Sequence, residues 1–358
     1  MTELSWIRAP LRAPDPQAAE AARRRQARLT KPAGSLGELE SLAIRLAGLQ
    51  GRECPRLERC HVSVFAADHG IAASGVSAYP QAVTAQMILN FAAGGAAVSV
   101  LARHSGAAFE VINLGTVEPL PPTAGVLDRS LAPGSADFSQ GAAMTQDQLE
   151  AALAVGAERV ESAADAGSDL FIAGEMGIGN TSAASALGAA LLGCPPAQLL
   201  GRGTGVDAAG LARKEACIRR ALELHAEAGD ELELLRRLGG FEIAAMSGAC
   251  LRAGQLGLPL LVDGFIVTAA ALLAVRLQPS LARWLFFAHC SAEPGHRLLL
   301  EALNARPLLN LDMRLGEGSG AVLAWPLLQS ACRLHSEMAT FDEAGVSEPP
   351  ADSDPCRP

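Results

Sequence analysis

Short apolar runs of strand length alternate along most of this chain with longer runs rich in alanine and leucine. The strand-length runs are HVSVFA (61–66), FEVINL (109–114), DLFIA (169–173), LPLLV (258–262) and WLFFA (284–288). Between them lie helical candidates at 82–103, 145–165, 180–192, 208–228, 241–256 and 265–276. Strands that are apolar along their whole length and separated by helices are typical of a parallel sheet covered on both faces. The sequence therefore predicts an α/β fold.

The two ends of the chain have a different pattern, which predicts a second, smaller domain. Two helical segments, 15–29 and 36–49, precede the first strand and are separated by the turn sequence KPAGS. A last helix is expected at 319–337, and we expect these three helices to pack together. The predicted boundaries are 1–58 and 319–340 for the small helical domain, 59–318 for the α/β domain and 341–358 for a flexible tail.

Charge and cysteine spacing exclude several classes of function. The net charge is −9, and the one dense basic run, Arg23-Arg24-Arg25 with Arg28, lies beside acidic residues on a helical stretch, as a solvated helix face does. Nucleic-acid binding needs clustered Lys and Arg, so no nucleic-acid partner is expected. The eight cysteines include no C-x-x-C pair and no His at metal spacing, which argues against a disulfide framework or a zinc site.

No part of the sequence is expected to enter a membrane. Its longest apolar stretches, such as 265–275, are too short to span a bilayer. Residues 1–14 have neither the basic start nor the apolar core of a signal peptide. We therefore expect a cytoplasmic protein.

Small polar or glycine-rich clusters follow several of the predicted strands. They are AADHG (66–70), AGEMGIGN (173–180), VDGF (262–265) and AHCSAE (288–293). In open parallel sheets, ligands bind beyond the carboxyl ends of the strands. These clusters are therefore predicted to line one cleft.

Two glycine-rich loops are candidates for anion binding. In GEMGIGNTSAASAL (174–187) a strand end leads into a helix that starts near Asn180-Thr181, where exposed N–H groups favour an anion, although a tight turn explains the glycines equally well. GRGTGVD (201–207) contains Arg202 and is followed by Lys214, which suits a phosphate cradle. A dinucleotide fingerprint is the competing interpretation of this second loop.

Acidic and histidine residues after the strands are further candidates. Asp68-His69 and His289 with Glu293 could each act as a dyad or as metal ligands, but a hydrogen-bonded turn is favoured for Asp68-His69-Gly70. Three metal ligands at suitable spacing do not occur, so no metal site is predicted. No apolar strand ends in two adjacent acids, the usual pattern for positioning magnesium and a pyrophosphate donor. A ribosyl donor used by this chain is therefore expected to carry a single phosphate.

Glu317 lies between glycines in RLGEGSGA, with apolar residues nearby. A carboxylate in a partly desolvated loop has a raised proton affinity, as suits a general base. Alternatively, it caps the helix that begins near Ser319. The flanking glycines favour the first interpretation, because they would clear space for a flat ligand.

Eight motifs occur together in the order found in one known family. They are KPAGSLGELE (31–40), AADHG (66–70), GEMGIGNTS (174–182), GRGTG (201–205), GGFEIAAMSG (239–248), LVDGF (261–265), HCSAEPGHR (289–297) and RLGEGSGAVLA (314–324). From about residue 10 to residue 338 the sequence resembles the nicotinate-nucleotide–dimethylbenzimidazole phosphoribosyltransferases of cobalamin synthesis. The resemblance implies a doubly wound α/β domain with helices on both faces, a small helical domain built from both chain ends, and a homodimer.

The resemblance also implies a reaction between small molecules. 5,6-Dimethylbenzimidazole attacks the anomeric carbon of nicotinate mononucleotide, nicotinate departs, and α-ribazole 5′-phosphate forms with inversion. Cleavage turns a ribosyl-pyridinium cation into a neutral pyridine, so neither a metal nor another cofactor is expected.

Residue roles follow from the resemblance as well. Glu317 matches the family's general base, and Glu175 matches a second carboxylate that holds the ribose or a water. The implied donor-binding residues are Met176, Gly177, Asn180, Thr181, Gly201, Arg202, Gly203, Thr204, Gly205 and Lys214. The implied acceptor pocket consists of Tyr79, Gln86, Met87, Met313 and Leu315.

One segment departs from the family pattern. Some members carry Ser and Gln in the acceptor pocket where VSAYPQAVTAQM (76–87) places Tyr79 and Met87, with Gln86 one position off. Tyr79 could stack on the acceptor or simply pack. Adenine, unsubstituted benzimidazole and a phenolic acceptor therefore stay open beside dimethylbenzimidazole.

Two other classes of function are alternatives. The glycine loops could clamp a dinucleotide in an oxidoreductase, although no good strand precedes GRGTG. The chain could also bind nicotinate mononucleotide or an aromatic base without catalysis, an alternative against which the presence of Glu317 and Glu175 counts.

Overall fold

A computed structural model describes residues 3–201, 203 and 205–347. The described residues form two compact units. The larger unit contains 3–12 and 59–325, and the smaller contains 13–58 and 326–347. The domain boundaries expected from the sequence, 58/59 and 318/319, stay a prediction.

The larger unit is built on one sheet of seven parallel strands, which confirms the predicted α/β class. The sheet order is β3-β2-β1-β4-β5-β6-β7. Because the order reverses between β1 and β4, their carboxyl ends flank a topological switch point. The strands are β1 Cys60–Ala67, β2 Ala108–Gly115, β3 Val126–Asp128, β4 Leu170–Met176, β5 Leu260–Val262, β6 Leu285–His289 and β7 Pro307–Leu309.

Two of these strands were not predicted from the sequence. β3 and β7 have three residues each and form the two edges of the sheet. Runs of three residues are too short for an apolar pattern, and β7 starts with Pro307, a residue that strands tolerate only at edges and ends.

Thirteen α-helices lie within the described residues. They are α1 Pro16–Arg28, α2 Glu38–Gln50, α3 Ala82–Ala92, α4 Ala97–Ser105, α5 Gln146–Asp165, α6 Asn180–Leu192, α7 Ala208–Leu224, α8 Glu231–Leu238, α9 Phe241–Leu256, α10 Phe265–Leu277, α11 His296–Ala302, α12 Ser319–Glu337 and α13 Phe341–Ala344. α8 and α11 were not predicted, and α7 ends four residues before the expected 228.

The single helix predicted at 82–103 is wrong, because the structure has two helices there. α3 ends at Ala92, and Gly94 follows with a left-handed φ of 79°. The whole stretch Ala82–Ser105 is long and apolar enough, by composition alone, to match a membrane span. However, α3 and α4 have 11 and 9 residues, while a spanning helix needs about 20.

Glycines allow two long helices of the larger unit to pack with their backbones close together. A Cβ at Gly156 of α5 would lie 1.7 Å from the carbonyl oxygen of Ala245 in α9. A Cβ at Gly248 of α9 would lie 2.2 Å from the carbonyl oxygen of Leu153. The Ala- and Gly-rich composition therefore follows from close helix packing.

The smaller unit combines segments from both chain ends. Asp15 caps α1 by accepting the N–H groups of Gln17 and Ala18, and α1 packs against α2. From α1, Arg25 donates hydrogen bonds to the carbonyl oxygens of His335 and Ser336 in α12. The segment expected as a flexible tail starts with α13, which Thr340 caps, and 348–358 lie outside the described residues.

Candidate active site

A cavity of about 500 Å³ lies in the larger unit, beyond the ends of β4, β5 and β6. Its wall is formed by the segments that follow these strands, by α3, and by the loop before α12. The lining residues are Tyr79, Val83, Met87, Glu175, Met176, Gly177, Ile178, Asn180, Thr181, Gly203, Gly264, Phe265, Ile266, Val267, His289, Ser291, Glu293, Arg314, Leu315, Gly316 and Glu317. This wall joins three of the four clusters predicted to line one cleft, those at 173–180, 262–265 and 288–293, while no residue of the cluster at 66–70 is in the lining.

Most of the residues that the sequence singled out line this cavity. Both carboxylates, Glu175 and Glu317, do so, as do Met176, Gly177, Asn180, Thr181, Gly203, Tyr79, Met87 and Leu315. Among the described residues, Gly201, Gly205, Lys214, Gln86 and Met313 lie outside the lining, and the side chain of Gln86 is exposed on α3. Arg202 and Thr204 lie outside the described residues.

Glu175 and Glu317 are joined directly. Glu175 is at the end of β4, and its Oε1 accepts a hydrogen bond of 3.2 Å from the backbone N–H of Glu317. Its other oxygen, Oε2, accepts a hydrogen bond from the side-chain amide of Asn180, the first residue of α6. Glu175 therefore ties the end of β4 to the loop that carries Glu317.

The glycines around Glu317 serve close packing of this loop against β4. Gly316, Glu317 and Gly318 have φ values of 86°, 66° and 88°, so three successive residues are left-handed. A Cβ at Gly316 would lie 2.1 Å from Glu175 Oε1, and a Cβ at Gly174 of β4 would lie 2.2 Å from the Glu317 carbonyl oxygen. These glycines therefore have a packing role, and the clearing of space for a flat ligand stays a prediction.

Helix α12 is capped by Asp263, and this bears on the role of Glu317. The carboxylate of Asp263, fully buried after β5, accepts the N–H groups of Gly318 at 3.1 Å and Ala321 at 2.8 Å. The capping role that was the alternative for Glu317 is thus filled by another residue. The Oε2 atom of Glu317 is buried and has no hydrogen-bond partner among the described residues.

Burial raises the pKa of both cavity carboxylates. The pKa of Glu317 is raised to about 7 by its burial, with the charge of Asp263 adding to the effect and the Val98 backbone N–H opposing it. The pKa of Glu175 is raised to about 8 by burial, opposed by the hydrogen bond from Glu317. Such values suit groups that exchange protons near neutral pH.

Lys214 stabilises the wall of the cavity through hydrogen bonds. Its Nζ donates hydrogen bonds to Thr181 Oγ1 at 2.9 Å and to the carbonyl oxygen of Gly201 at 3.3 Å, and its side chain is buried. Burial lowers its pKa to about 8, and the nearby charge of Glu293 opposes this shift. Lys214 therefore links α7 to the start of α6 and to the second glycine loop.

The first glycine loop is held by a buried chain of hydrogen bonds. Thr84 Oγ1 donates to Asp68 Oδ1 at 2.7 Å and accepts the N–H of Ile178 at 3.1 Å. The N–H groups of Asn180 and Ser182 bond to carbonyl oxygens within the loop itself. Several of the N–H groups expected to bind an anion at this helix start are therefore already hydrogen-bonded within the protein.

His69 also has a partner within the fold. Its Nε2 lies 2.7 Å from Glu242 Oε1, and both side chains are fully buried. A Cβ at Gly177 would lie 3.3 Å from the His69 ring, so the pair lies directly beneath the first glycine loop. The side chains of Asp68 and His69 thus bond to residues remote in the chain, and the hydrogen-bonded turn stays a prediction.

Several lining residues were not named as site residues from the sequence. They are Val83 of α3, Ile178, Ser291, Arg314, Gly316 and the first turn of α10, Gly264 to Val267. All but Val83 lie in a motif that follows a strand or contains Glu317, so position at strand ends was the usable signal. The residue types at these positions gave no further indication, because a sequence does not show which backbone N–H groups face a cavity.

A parallel α/β fold with paired, buried carboxylates at the carboxyl edge of its sheet is typical of enzymes that act on small molecules. Among the described residues, no group of three or more His, Cys, Asp or Glu side chains is arranged to hold a metal ion.

Comparison with known proteins identifies the family. The model of a family described as phosphoribosyltransferase matches residues 11–346. The chain is 63% identical over 345 residues to the nicotinate-nucleotide–dimethylbenzimidazole phosphoribosyltransferase of Azotobacter vinelandii, covering 96% of this chain and 98% of that one. It is 59% identical to the protein of the same name from Pseudomonas aeruginosa, covering 97% and 99%.

Solved structures agree with this assignment. The crystal structure of the Thermus thermophilus phosphoribosyltransferase of the same name superposes with a TM-score of 0.89 at 50% identity, covering 94% of this chain and all of that one. A second Thermus thermophilus structure, called CobT, gives a TM-score of 0.90 at 52% identity, covering 93% and 100%. The chain belongs to the nicotinate-nucleotide–dimethylbenzimidazole phosphoribosyltransferase family.

Proposed function

We propose that this chain transfers the 5-phosphoribosyl group of nicotinate mononucleotide to 5,6-dimethylbenzimidazole, giving α-ribazole 5′-phosphate and nicotinate for the lower ligand of cobalamin. Family membership supports the substrates, and one observation on this chain carries the chemistry. Glu317 is a buried carboxylate on the cavity wall whose Oε2 has no partner among the described residues.

In the proposed reaction Glu317 is the general base. One nitrogen of the acceptor forms a bond to the anomeric carbon of the donor while the bond from that carbon to the nicotinate ring nitrogen breaks, its electron pair returning to the pyridine. The proton on the other acceptor nitrogen passes to Glu317. Base catalysis of this kind contributes roughly 10²–10⁴-fold.

Glu175 has a supporting role in this proposal. Its pKa of about 8 keeps it largely protonated at neutral pH, so the two neighbouring carboxyl groups need not carry two negative charges when Glu317 is ionised. A neutral carboxyl group can also donate a hydrogen bond to a ribose hydroxyl or a water. Its bond from the Glu317 N–H holds the base in place.

The substrates are assigned to different parts of the cavity wall. Nicotinate mononucleotide is assigned to the segment 176–181 and to Gly203, with Lys214 behind them. The acceptor is assigned to the apolar wall that includes Tyr79, Met87 and Leu315, of which Tyr79 and Leu315 are more than half exposed. Exposed apolar side chains at the opening suit a flat heterocycle that enters there.

A homodimer in the cytoplasm completes the proposal. The resemblance to the family implies the homodimer, and the sequence predicts the cytoplasmic location. Size-exclusion chromatography with light scattering tests the first, and cell fractionation tests the second.

The function is tested by incubating the purified protein with nicotinate mononucleotide and a panel of bases. The panel contains dimethylbenzimidazole, benzimidazole, adenine and a phenol, and products are identified by mass spectrometry. The expected result is a new α-riboside phosphate and one equivalent of nicotinate. Tight binding of the nucleotide without release of nicotinate for any base would overturn the proposal.

A further inference from the structure

The segment that follows β1 was predicted to line the cleft, but it lies behind the wall of the cavity. Asp68 in this segment is 1% exposed and is not among the lining residues. Its carboxylate accepts hydrogen bonds from two other parts of the chain, the hydroxyl of Thr84 at 2.7 Å and the backbone N–H of Val117 at 2.9 Å. A buried carboxylate needs such donors, so Asp68 holds the elements that supply them in place.

The hydroxyl group of Thr84 joins two walls of the cavity. Thr84 is fully buried on α3, and its neighbours Val83 and Met87 on this helix line the cavity. Its Oγ1 donates to Asp68 and accepts, at 3.1 Å, the N–H of Ile178, a lining residue of the first glycine loop. A hydroxyl group has one donor and two acceptor sites, so it can serve both partners at once. One buried oxygen atom therefore connects α3 to the glycine loop.

Further contacts tie the same two elements to the end of β1. The side-chain amide of Gln81, at the start of α3, donates a hydrogen bond of 2.9 Å to the carbonyl oxygen of His69. A Cβ at Gly179 in the glycine loop would lie 3.0 Å from the Cβ of His69 and 3.3 Å from Cγ2 of Ile71. The segment after β1 therefore contacts both α3 and the loop.

The relative placement of these two walls matters for a reaction between two substrates. In the proposed function the donor is assigned to a segment that includes Ile178, and the acceptor to a wall that includes Met87 of α3. Reacting atoms must approach to about 3–3.5 Å, and a misplacement of about 1 Å can cost roughly 100-fold in rate. A bond between the two walls therefore acts on the step that needs both substrates.

We propose that Thr84 is a positioning residue for the transfer reaction, which aligns the acceptor wall with the donor loop through its bonds to Asp68 and Ile178. This inference rests on the proposed function and adds a residue that does not itself line the cavity. Each substrate is assigned to one of the two walls, so each substrate alone binds with little dependence on Thr84. Bond formation requires both walls to be aligned, so kcat depends on it.

Thr84→Val tests this role, because valine keeps the branched shape of threonine and removes the hydroxyl group. It is expected to lower kcat roughly 30- to 100-fold. The Kd of nicotinate mononucleotide alone and that of dimethylbenzimidazole alone, both measured by calorimetry, should change by less than about threefold. Thr84→Ser keeps the hydroxyl group and should restore kcat to within about fivefold of the wild type.

Ser247→Ala is the control for the loss of a buried hydroxyl group elsewhere in the larger unit. Ser247 is fully buried on α9, bonds to the carbonyl oxygens of Ile243 and Ala270, and lies outside the cavity lining. Its replacement should leave kcat within about twofold of the wild type, because neither bond joins two walls of the cavity.

Near-normal kcat in Thr84→Val would overturn the positioning role. A loss of affinity for both substrates as large as the loss in kcat would also overturn it, since that result indicates a general loss of structure at the site. If Thr84→Val does not fold, Asp68→Asn is measured instead. Its side-chain amide can accept only one of the two hydrogen bonds of Asp68, and the same contrast between kcat and Kd is expected at about tenfold.

Turnover of nicotinate mononucleotide by the wild-type protein, with the panel of bases, is measured in parallel. Absence of turnover with every base would count against the proposed function, and the positioning role would fall with it. Where the wild type is active, the comparison of Thr84→Val with Thr84→Ser decides the positioning role alone.

Discussion

The backbone N–H of Glu317 donates a hydrogen bond of 3.2 Å to the carboxyl group of Glu175. The bond joins residues 142 positions apart in the chain, one at the end of a sheet strand and the other in a loop before a helix. Glu317 has a φ of 66°, which residues other than glycine adopt only where the surroundings compensate for about 1–2 kcal/mol. The pair therefore fixes the backbone of the proposed base while leaving its carboxylate on the cavity wall.

Replacing Glu317 by Gln is expected to lower kcat at least 100-fold without unfolding the protein. The amide has nearly the shape of the carboxyl group but cannot take the acceptor's proton. In the wild-type protein the base must be ionised, so kcat/KM should rise with pH and level off above the Glu317 pKa of about 7. Pre-steady-state and pH–rate measurements check both points. Glu301→Gln, an exposed position on α11, is the control, and near-normal turnover by Glu317→Gln would remove this residue as the base.

Replacing Gly316 by Ala is expected to damage the site through packing. The new Cβ would lie 2.1 Å from Glu175 Oε1, and the residue would also be strained at a φ of 86°. Gly106→Ala is a matched control, because Gly106 has a φ of 71° and nothing within 4 Å of its Cβ position. Both variants should lose about 1 kcal/mol from left-handed strain. Only Gly316→Ala should also lose more than tenfold in kcat, and equal kcat values for the two would contradict the packing role.

Replacing Asp263 by Ala is expected to lower both stability and turnover. It removes the acceptor for two N–H groups at the start of α12, for which N-cap losses of about 0.5–2 kcal/mol are typical. The loop that carries Glu317 would be anchored on one side only. Denaturant unfolding and steady-state kinetics measure the two effects. Asp263→Asn keeps one acceptor oxygen and should lie between the wild type and Asp263→Ala, whereas full activity in Asp263→Ala would contradict the anchoring role.

The parts of this structure that were predictable from the sequence are those with a repeating or local signal. Five strands gave continuous apolar runs, and the cleft followed from the rule that parallel strands place their carboxyl ends on one edge. Glu175 and Glu317 were both found from their motifs. The edge strands β3 and β7 were missed, because each has three residues and, unlike the equally short β5, neither lies within a five-residue apolar run such as LPLLV.

Other features depend on partners that are remote in the chain. Helix α12 is capped by Asp263 and not by Glu317. This contact joins residues 55 positions apart, which a single sequence does not show. The sequence overestimated how many N–H groups of the first glycine loop are free to bind an anion. The N–H of Ile178 is donated to Thr84, which lies 94 residues away in the chain.

The two raised carboxyl pKa values predict how stability depends on pH. A group with a folded-state pKa above its unfolded value contributes stability that is fully present below the unfolded pKa and is lost as pH rises through the folded pKa. For Glu175 the window runs from the ordinary glutamate pKa of 4.5 to about 8. The free energy of unfolding should therefore fall between pH 5 and pH 8, by on the order of 1–3 kcal/mol. Urea unfolding at several pH values measures this fall.

Glu175→Gln is the variant that isolates this effect, because its amide carries no charge at any pH. The fall in the free energy of unfolding should be smaller in Glu175→Gln than in the wild type, and the variant should be the more stable of the two at pH 8. A fall of the same size in both proteins would assign the pH dependence to other groups.

Replacing Lys214 by Met is expected to weaken donor binding more than it slows chemistry. Met keeps an apolar stem of similar length but removes the hydrogen bonds to Thr181 and to the Gly201 carbonyl oxygen, so the second glycine loop loses its tie to α6. Because Thr181 and Gly203 line the cavity, KM for nicotinate mononucleotide should rise about tenfold or more, with a smaller change in kcat. Arg213→Met, at the exposed neighbouring position on α7, is the control. A fall in kcat at unchanged KM would instead place the Lys214 charge in the transition state.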